Sequence, residues 1–144
     1  MNDVELKART KQFALKIMKL AGALPETANG RAIGNQLIRS GTSVGANYRA
    51  ACRARSKAEF ISKIGIVEEE ADESAFWLEL IIESSLMDEK TVLPLHKEAE
   101  ELTAIFTASG RTAKSKIPNS KSQSIRNQQP AIKINPKFEI RNPQ

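Results

Sequence analysis

Apolar residues recur at spacings of three and four along residues 3–110, and no alternating strand pattern occurs before residue 130. The clearest stripe reads Ile33, Leu37, Gly41, Val44, Tyr48 and Cys52. Residues at this spacing fall on one side of an α-helix, and an apolar side has to be buried against other helices. The pattern therefore restricts the chain to a helical fold.

Capping residues and helix breakers divide the periodic region into four predicted helices. Asn2 with Glu5, and Ser56 with Glu59, are capping-box pairs at helix starts. We expect the helices to run from the N-terminus to Pro25, from about 28 to 55, from 56 to about 86, and from about 91 to 109, with Pro94 in the first turn of the last helix and Gly110 at its end. Amphipathic helices joined by short connections favour an all-α, antiparallel up-and-down four-helix bundle.

The C-terminal segment differs in composition from the periodic region. Four of the six prolines and many Ser, Asn and Gln residues fall there, and such a composition cannot build a packed core. We therefore expect a bundle domain over 1–112 and a basic, disordered Pro/Ser/Asn-rich tail over 113–144. Residues 132–134 and 138–140 alternate apolar and charged side chains, which leaves open a short strand or a docking motif within an otherwise solvated tail.

Charge is unevenly distributed along the chain. The net charge of +5 combines +7 over residues 111–144, which hold eight Lys/Arg and one Glu, with −2 over residues 1–110, which hold 14 basic and 16 acidic groups. Within 1–110, residues 29–57 carry six basic groups and no acid, whereas residues 59–89 carry ten acids and one Lys. Two adjacent helices of opposite charge are expected to attract one another.

The cysteine and histidine content excludes several classes of site. One cysteine rules out an intrachain disulfide, and one histidine leaves no zinc-type ligand cluster. The N-terminus is charged where a signal peptide needs an apolar segment, and the apolar runs are too short to span a membrane. We therefore predict a cytoplasmic protein without metal, cofactor or membrane contact. Cys52 lies on the apolar stripe, which favours a small core residue over a reactive thiol.

The stretch Gly41-Thr42-Ser43-Val44-Gly45 matches the G-x-S-x-G pattern in which serine hydrolases place their nucleophile. That nucleophile needs a strand-to-helix turn and a histidine base, whereas this stretch falls in the middle of a predicted helix. His96, the one histidine, has charged neighbours that predict exposure. We therefore expect no enzymatic activity. We interpret the glycines as positions where another helix backbone approaches closely.

Glu70 and Glu73 lie one turn apart on the third predicted helix, beside its apolar stripe. Di-iron bundles pair such glutamates with histidines three positions further on, and this helix has none. The pattern is equally compatible with burial and with exposure of the two carboxylates. If buried, they need partners from the second helix. The candidates for that role are Arg39, Asn47 and Arg49, and we predict a structural polar network of Ser43, Asn47, Glu70 and Glu73.

Three stretches carry a resemblance to a known family. They are QLIRSGTSVGANYRAA on the second helix, SKAEFISKIGIVEEEADESAFWLELI on the third and EAEELTAIFTASGRTAK on the fourth. Their specific features are the Arg39-Ser40-…-Ser43-…-Asn47 spacing, the Glu70-Ala71-x-Glu73-Ser74-x-x-Trp77-Leu78 block and the closing Glu-Glu-Leu segment. Over roughly residues 10–116 the chain resembles the four-helix bundle proteins related to the 23S rRNA intervening-sequence proteins.

The resemblance implies an up-and-down bundle that assembles into a homopentamer and has no established enzymatic activity. Some members are encoded within insertions of large-subunit rRNA genes. A distant branch comprises the accessory proteins of diversity-generating retroelements, which are pentamers that bind nucleic acid and a reverse transcriptase. This chain departs from those basic accessory proteins in its −2 charge over residues 1–110. It also has Arg49-Ala50-Ala51 where many intervening-sequence proteins have a Glu-Gly pair.

Charge and resemblance together favour a non-enzymatic accessory protein that binds RNA or DNA with low sequence specificity. The tail concentrates positive charge, an oligomer would multiply it, and no base-stacking aromatic platform is visible. The predicted nucleic-acid-binding residues are Arg39, Arg49, Arg53, Arg55, Arg111, Lys114, Lys116 and Lys121. The alternative is a protein-interaction scaffold that docks a partner through the bundle surface or the tail.

Overall fold

A computed structural model describes residues 1–116. In this part of the chain there are four α-helices and no strand, and the helices are α1 (Asp3–Gly22), α2 (Ala28–Cys52), α3 (Lys57–Glu83) and α4 (Glu89–Ser115). Residues Met1–Ala113 form one compact unit. The all-α prediction is confirmed. The predictions for the tail beyond residue 116, including Lys121 and the alternating residues 132–140, lie outside the described residues.

The helix starts follow the capping chemistry of the sequence. Asn2 and Glu5 form the predicted capping box, in which the Asn2 side chain accepts from the Glu5 N–H at 2.8 Å. Ser56 accepts from the Glu59 N–H at 3.0 Å, as predicted for α3. Thr27, which the sequence analysis did not single out, caps α2 by accepting from the Gly30 N–H at 3.0 Å. Each cap satisfies a backbone donor that the helix itself leaves unpaired.

The helix ends are less well predicted. Helix α2 stops at Cys52, before the predicted Arg55. The end of α3 is a Schellman turn, in which the Leu86 N–H donates to the Ile81 carbonyl at 3.1 Å and the Ser85 N–H donates to the Ile82 carbonyl at 3.1 Å. Ser85 takes φ of 58° there, a left-handed conformation usually given to glycine. The connection to α4 is therefore fixed by backbone hydrogen bonds.

Helix α4 is longer than predicted at both ends. It begins at Glu89, so Pro94 lies beyond the first turn, and it passes through Gly110 to end at Ser115. No glycine in the described residues has a positive φ, so Gly110 does not serve as a left-handed cap. The continuing turn buries Ala113, which is 9% exposed. That burial and the added helical hydrogen bonds offset the roughly 0.5–1 kcal/mol that a mid-helix glycine costs.

Neighbouring helices run antiparallel, as the contacts between them establish. Between α3 and α4, Glu68 accepts from Thr107 at 2.7 Å near one end and Glu79 lies 3.2 Å from His96 near the other. Arg9 of α1 closes the bundle against α4 through two 2.7 Å hydrogen bonds to Glu98 and one of 2.8 Å to Glu101. The largest fully buried side chains of the core are Phe13, Ile17, Leu37, Ile64, Leu78, Ile81, Leu102 and Phe106. The up-and-down bundle is thus confirmed.

Helices α1 and α2 approach each other closely at two glycines. A Cβ atom on Gly41 would lie 2.7 Å from Cγ2 of Ile17, and one on Gly45 would lie 3.4 Å from the carbonyl oxygen of Thr10. Thr10 is fully buried and donates back to the Leu6 carbonyl at 2.8 Å, so no polar group is stranded in the contact. The prediction that the glycines admit another helix is confirmed, and the helix they admit is α1.

This contact predicts opposite effects for two glycine-to-alanine substitutions. Gly41→Ala should lower the free energy of unfolding by about 1–3 kcal/mol, because the new methyl group overlaps Ile17, which is itself fully buried. Gly65→Ala on α3 is the matched control, since a Cβ there meets nothing within 4 Å. It should raise stability by about 0.5–1 kcal/mol through helix propensity. Urea unfolding followed by circular dichroism at the helix band measures both, and a stabilised Gly41→Ala would contradict the close approach.

Candidate nucleic-acid interface

A positively charged groove runs between α1 and α2. Its volume is about 700 Å³. The charged residues that line it are all cations, Lys7 and Lys11 from α1 and Arg49 and Arg53 from α2. The other lining residues are small or uncharged, namely Ala8, Gln12, Ala14, Thr42, Gly45 and Ala46. The groove lining therefore carries four positive charges and no negative one, and its surface is shallow.

The geometry of the groove follows from the packing of the two helices. Lys7 and Lys11 are four residues apart and lie on one side of α1, whereas Arg49 lies in the last turn of α2 and Arg53 is the residue that caps its end. Because α1 and α2 run antiparallel, the start of α1 lies beside the end of α2, and the two pairs form opposite walls. Gly45 brings the backbones close beneath them. The floor is thus helix backbone and small side chains, and the groove is open and shallow.

The four groove cations form no ion pair with any acid in residues 1–116, in contrast to other arginines of the bundle. Arg9 is held by Glu98 and Glu101, and Arg39 by Glu70 and Glu73. Like charges gathered without ion-pair partners produce a positive potential that attracts polyanions. Arg49 and Arg53 were predicted from the sequence, whereas Lys7 and Lys11 were missed. Lys7 and Lys11 are also four residues apart, but this spacing indicates a shared site only when α1 is known to pack beside the end of α2.

Arg39 lies on a different side of α2, where it bridges two carboxylates of α3. Its Nη1 lies 3.3 Å from Glu70 Oε1 and its Nη2 donates to Glu73 Oε2. Trp77 adds a hydrogen bond to Glu73 at 3.2 Å. The hydrogen bond that Arg39 donates to Glu73 raises the pKa of Arg39 above its ordinary value. Both carboxylates are half-buried, so the guanidinium predicted to bind phosphate is already engaged by acids of the same chain.

The predicted network of Ser43, Asn47, Glu70 and Glu73 is divided in the structure. Ser43 donates to the Arg39 carbonyl at 2.6 Å, and Asn47 donates to the Ser43 carbonyl at 2.9 Å. Both side chains therefore satisfy the backbone of their own helix, while the glutamates pair with Arg39. These local bonds compete with cross-helix ones because a serine or asparagine in a helix reaches the carbonyl one turn back.

The polar link that joins α2 to α3 in the core is a pair of serines. Ser40 and Ser74 are both fully buried, and their hydroxyl oxygens lie 3.0 Å apart in a hydrogen bond. Ser74 also lies 2.9 Å from the Glu70 carbonyl, and Ser40 lies 3.3 Å from the Leu37 carbonyl. The sequence assigns Ser40 no hydrogen-bond partner, because nothing in the pattern places it opposite Ser74.

Ser43 and His96 do not form a catalytic pair. Ser43 lies in the middle of α2 with its hydroxyl bonded to Arg39, whereas His96 on α4 lies 3.2 Å from Glu79 and 3.6 Å from Glu100. The side chain of His96 is 16% exposed, which is less than its charged neighbours predict, and Glu79 of α3 lies beside it. In the described part of the chain no group of three or more His, Cys, Asp or Glu is arranged to hold a metal ion.

Neither Cys52 nor Arg55 is fully buried. Cys52 packs against the edge of the core and is only half-buried. It interacts with Tyr48, whose pKa is raised chiefly by burial. Arg55 is 91% exposed and lies 3.9 Å from Glu59.

Three further predicted cations are not among the residues that line the groove. Arg111, Lys114 and Lys116 are exposed at the end of the described chain. Among the residues described, no helix is long and apolar enough to cross a membrane.

Comparisons with known proteins identify a family and a similar solved structure. The profile of the 23S rRNA-intervening sequence protein family matches residues 2–108. A crystal structure of a protein of unknown function from the S23 ribosomal protein family of Bacteroides thetaiotaomicron is similar, with 32% sequence identity and a TM-score of 0.71. The match covers 77% of this chain and 99% of that one. No curated protein matches the sequence.

The buried serine pair predicts an energetic coupling between α2 and α3. Ser74→Ala should lower the free energy of unfolding by about 1 kcal/mol, because it removes the partner of a buried hydroxyl. The double variant Ser40→Ala, Ser74→Ala should lose less than the sum of the single variants, by about 0.5–1.5 kcal/mol. Urea unfolding of all four proteins completes the cycle. Strict additivity would mean that the two hydroxyls do not interact.

Arg39 is predicted to contribute to stability in a salt-dependent way. Arg39→Gln should lower the free energy of unfolding by about 0.2–1 kcal/mol, the range of partly exposed ion pairs, and the loss should shrink as salt is added. Arg55→Gln is the control, since that side chain is almost fully exposed and its removal should leave the unfolding curve unchanged. Equal effects for the two variants would argue against the bridge to α3.

Proposed function

The chain belongs to the family of 23S rRNA-intervening sequence proteins, and we propose that it is a non-enzymatic accessory protein that binds nucleic acid through the groove between α1 and α2. The observation that carries the proposal is the set of four cations without ion-pair partners in residues 1–116 that face one another across that groove. Phosphate contacts by Lys and Arg supply most of the affinity of non-specific nucleic-acid binding.

Low sequence specificity is part of the proposal. The groove lining contains no aromatic residue on which a base could stack. Its charged residues are two lysines and two arginines, which suit contacts to phosphates. Contacts to phosphates position a nucleic acid without reading its sequence. We therefore expect RNA and DNA of differing sequence to bind with similar affinity.

Assembly would strengthen such binding. We propose a homopentamer, as the resemblance to the family implies, in which each subunit contributes a groove and a basic C-terminal segment. Several weak phosphate contacts on one particle raise the overall affinity through effective concentration. Residues 117–144 add five Lys/Arg and one Glu to each subunit, so the segment would contribute charge in addition to the groove.

The proposal of a non-enzymatic protein is supported by the positions of its most reactive side chains. Ser43 bonds to a backbone carbonyl of its own helix, and His96 is held between two glutamates. Neither is among the residues that line the groove, and the Thr42 hydroxyl in that lining donates to the Ile38 carbonyl of its own helix.

A protein-interaction scaffold is the second candidate, and exposed apolar side chains favour it. Phe76 is 49% exposed on α3 and packs edge-on against Trp77, with ring centroids 5.1 Å apart. Leu15 and Met18 on α1 are also about half exposed. Recovery of a protein partner after nuclease treatment, and its loss on Phe76→Ser but not on Arg49→Gln, would favour the scaffold over the nucleic-acid role.

Removal of two groove cations should weaken nucleic-acid binding. Arg49→Gln with Arg53→Gln is expected to reduce the affinity of the full-length protein for a 20-nucleotide RNA or DNA by about tenfold near 0.1 M salt, because two phosphate contacts are lost. Fluorescence anisotropy over a salt series measures both the affinity and its salt dependence.

A variant of equal charge serves as the control. Lys19→Gln with Lys90→Gln removes two exposed cations that do not line the groove, and it should lower the affinity by no more than about twofold. Arg39→Gln should likewise leave binding nearly unchanged, since its guanidinium is paired with Glu70 and Glu73. If the Lys19/Lys90 variant weakens binding as much as the Arg49/Arg53 variant, the groove is not the binding surface.

A further inference from the structure

The groove also determines which form of nucleic acid it can hold. Resting on the proposed function, we infer that the groove takes the phosphates of a single strand, RNA or DNA, and leaves the bases turned towards solvent. Its ligand is then a flexible polyphosphate backbone, recognised without its bases and without a second strand.

Cations lie on both walls of the groove. Lys7 and Lys11 occupy one wall, and Arg49 and Arg53 occupy the other. Within each pair the Cβ atoms of residues four apart are roughly 5–6 Å from each other along the helix. A strand that follows the groove would pass between the two walls and present successive phosphates to cations on both sides. No acid lies among the lining residues to repel it.

The floor of the groove offers no surface for base stacking. Gly45 lies against the Thr10 backbone, and the uncharged lining residues are Ala8, Gln12, Ala14, Thr42, Gly45 and Ala46. None of these side chains is an aromatic ring on which a base could stack. Single-strand-binding proteins that rely on base stacking lose about fivefold or more in affinity for each stacked base that is removed. Since this groove has no stacking partner, the bases contribute little and face outward.

A second strand would reduce the contacts that the groove can make. Adjacent packed helices have axes roughly 8–10 Å apart, so the cations of both walls lie within reach of one strand. The backbones of a duplex are held by their paired bases in a stiff helix with a persistence length of about 150 base pairs, and such a backbone cannot adjust its phosphates to the cations of both walls. A single strand can bend to follow the groove. The two walls together therefore select for a strand without a partner.

Three probes of equal length test the inference with the full-length protein: a thymidine strand, the same strand with abasic sites throughout, and a blunt duplex. The abasic strand should bind within about threefold of the thymidine strand, because no base is stacked. The duplex should bind more than about threefold more weakly at the same salt, since it reaches fewer of the cations. An abasic loss beyond threefold, or a duplex that binds as well as the single strand, would overturn the inference.

Substitution of the α1 wall ties the preference to the groove. Lys7→Gln with Lys11→Gln should lower the slope of log affinity against log salt for the single strand by about 1.4, because about 0.7 is lost per phosphate contact. Lys19→Gln with Lys90→Gln should leave the slope unchanged. Circular dichroism verifies that each variant is folded.

The outcomes separate the inference from the function on which it rests. Tight binding of the duplex with a reduced slope in the Lys7/Lys11 variant would keep the nucleic-acid role and reject the single-strand preference. An unchanged slope in that variant would reject the groove as the strand's site. Failure of all three probes to bind at low salt would reject the proposed function together with the inference.

Discussion

The packing of Ile17 against Gly41 is the contact on which the surface of the bundle depends. A side chain of any size at position 41 would overlap Ile17 and push α1 away from α2. With glycine there and at 45, the two helices meet almost backbone to backbone, and this fixes both their separation and their antiparallel register. The register in turn places Lys7 and Lys11 beside Arg49 and Arg53. The lack of side chains at positions 41 and 45 thus determines which charged residues of α1 and α2 lie beside one another.

Helix α2 distributes its positive charge between two neighbours of different character. On the side of α3, Arg39 meets Glu70 and Glu73 and is neutralised within the fold. On the side of α1, Arg49 and Arg53 meet lysines and remain without counter-ions among the described residues. The acids of residues 59–89 therefore neutralise only part of the positive charge of residues 29–57. The uncompensated part coincides with the groove, which is the reason that a chain of −2 charge over residues 1–110 can still attract polyanions locally.

Features that depend on a single helix and its immediate ends could be predicted from the sequence. Periodicity and capping residues located all four helices of the described chain, because burial of one face and satisfaction of the first N–H groups are local requirements. The continuation through Gly110 was mispredicted, since it is favoured by the burial of Ala113, which the local pattern does not reveal. The site was half predicted for a similar reason. Arg49 and Arg53 were visible as cations, but the contribution of Lys7 and Lys11 depends on the α1–α2 register, and the Ser40–Ser74 bond depends on the α2–α3 register.

The ion pairs of Arg9 join residues 89 positions apart in sequence, whereas the glycine contacts join helices that follow one another directly. Chain closure between distant segments costs more entropy than closure of a hairpin. We therefore expect the α1–α2 and α3–α4 hairpins to form before α1 meets α4, and the bonds from Arg9 to Glu98 and Glu101 to form late in folding. Interactions made after the rate-limiting step hold the native state chiefly by slowing its opening. In that order of events, loss of Arg9 would speed unfolding more than it would slow folding.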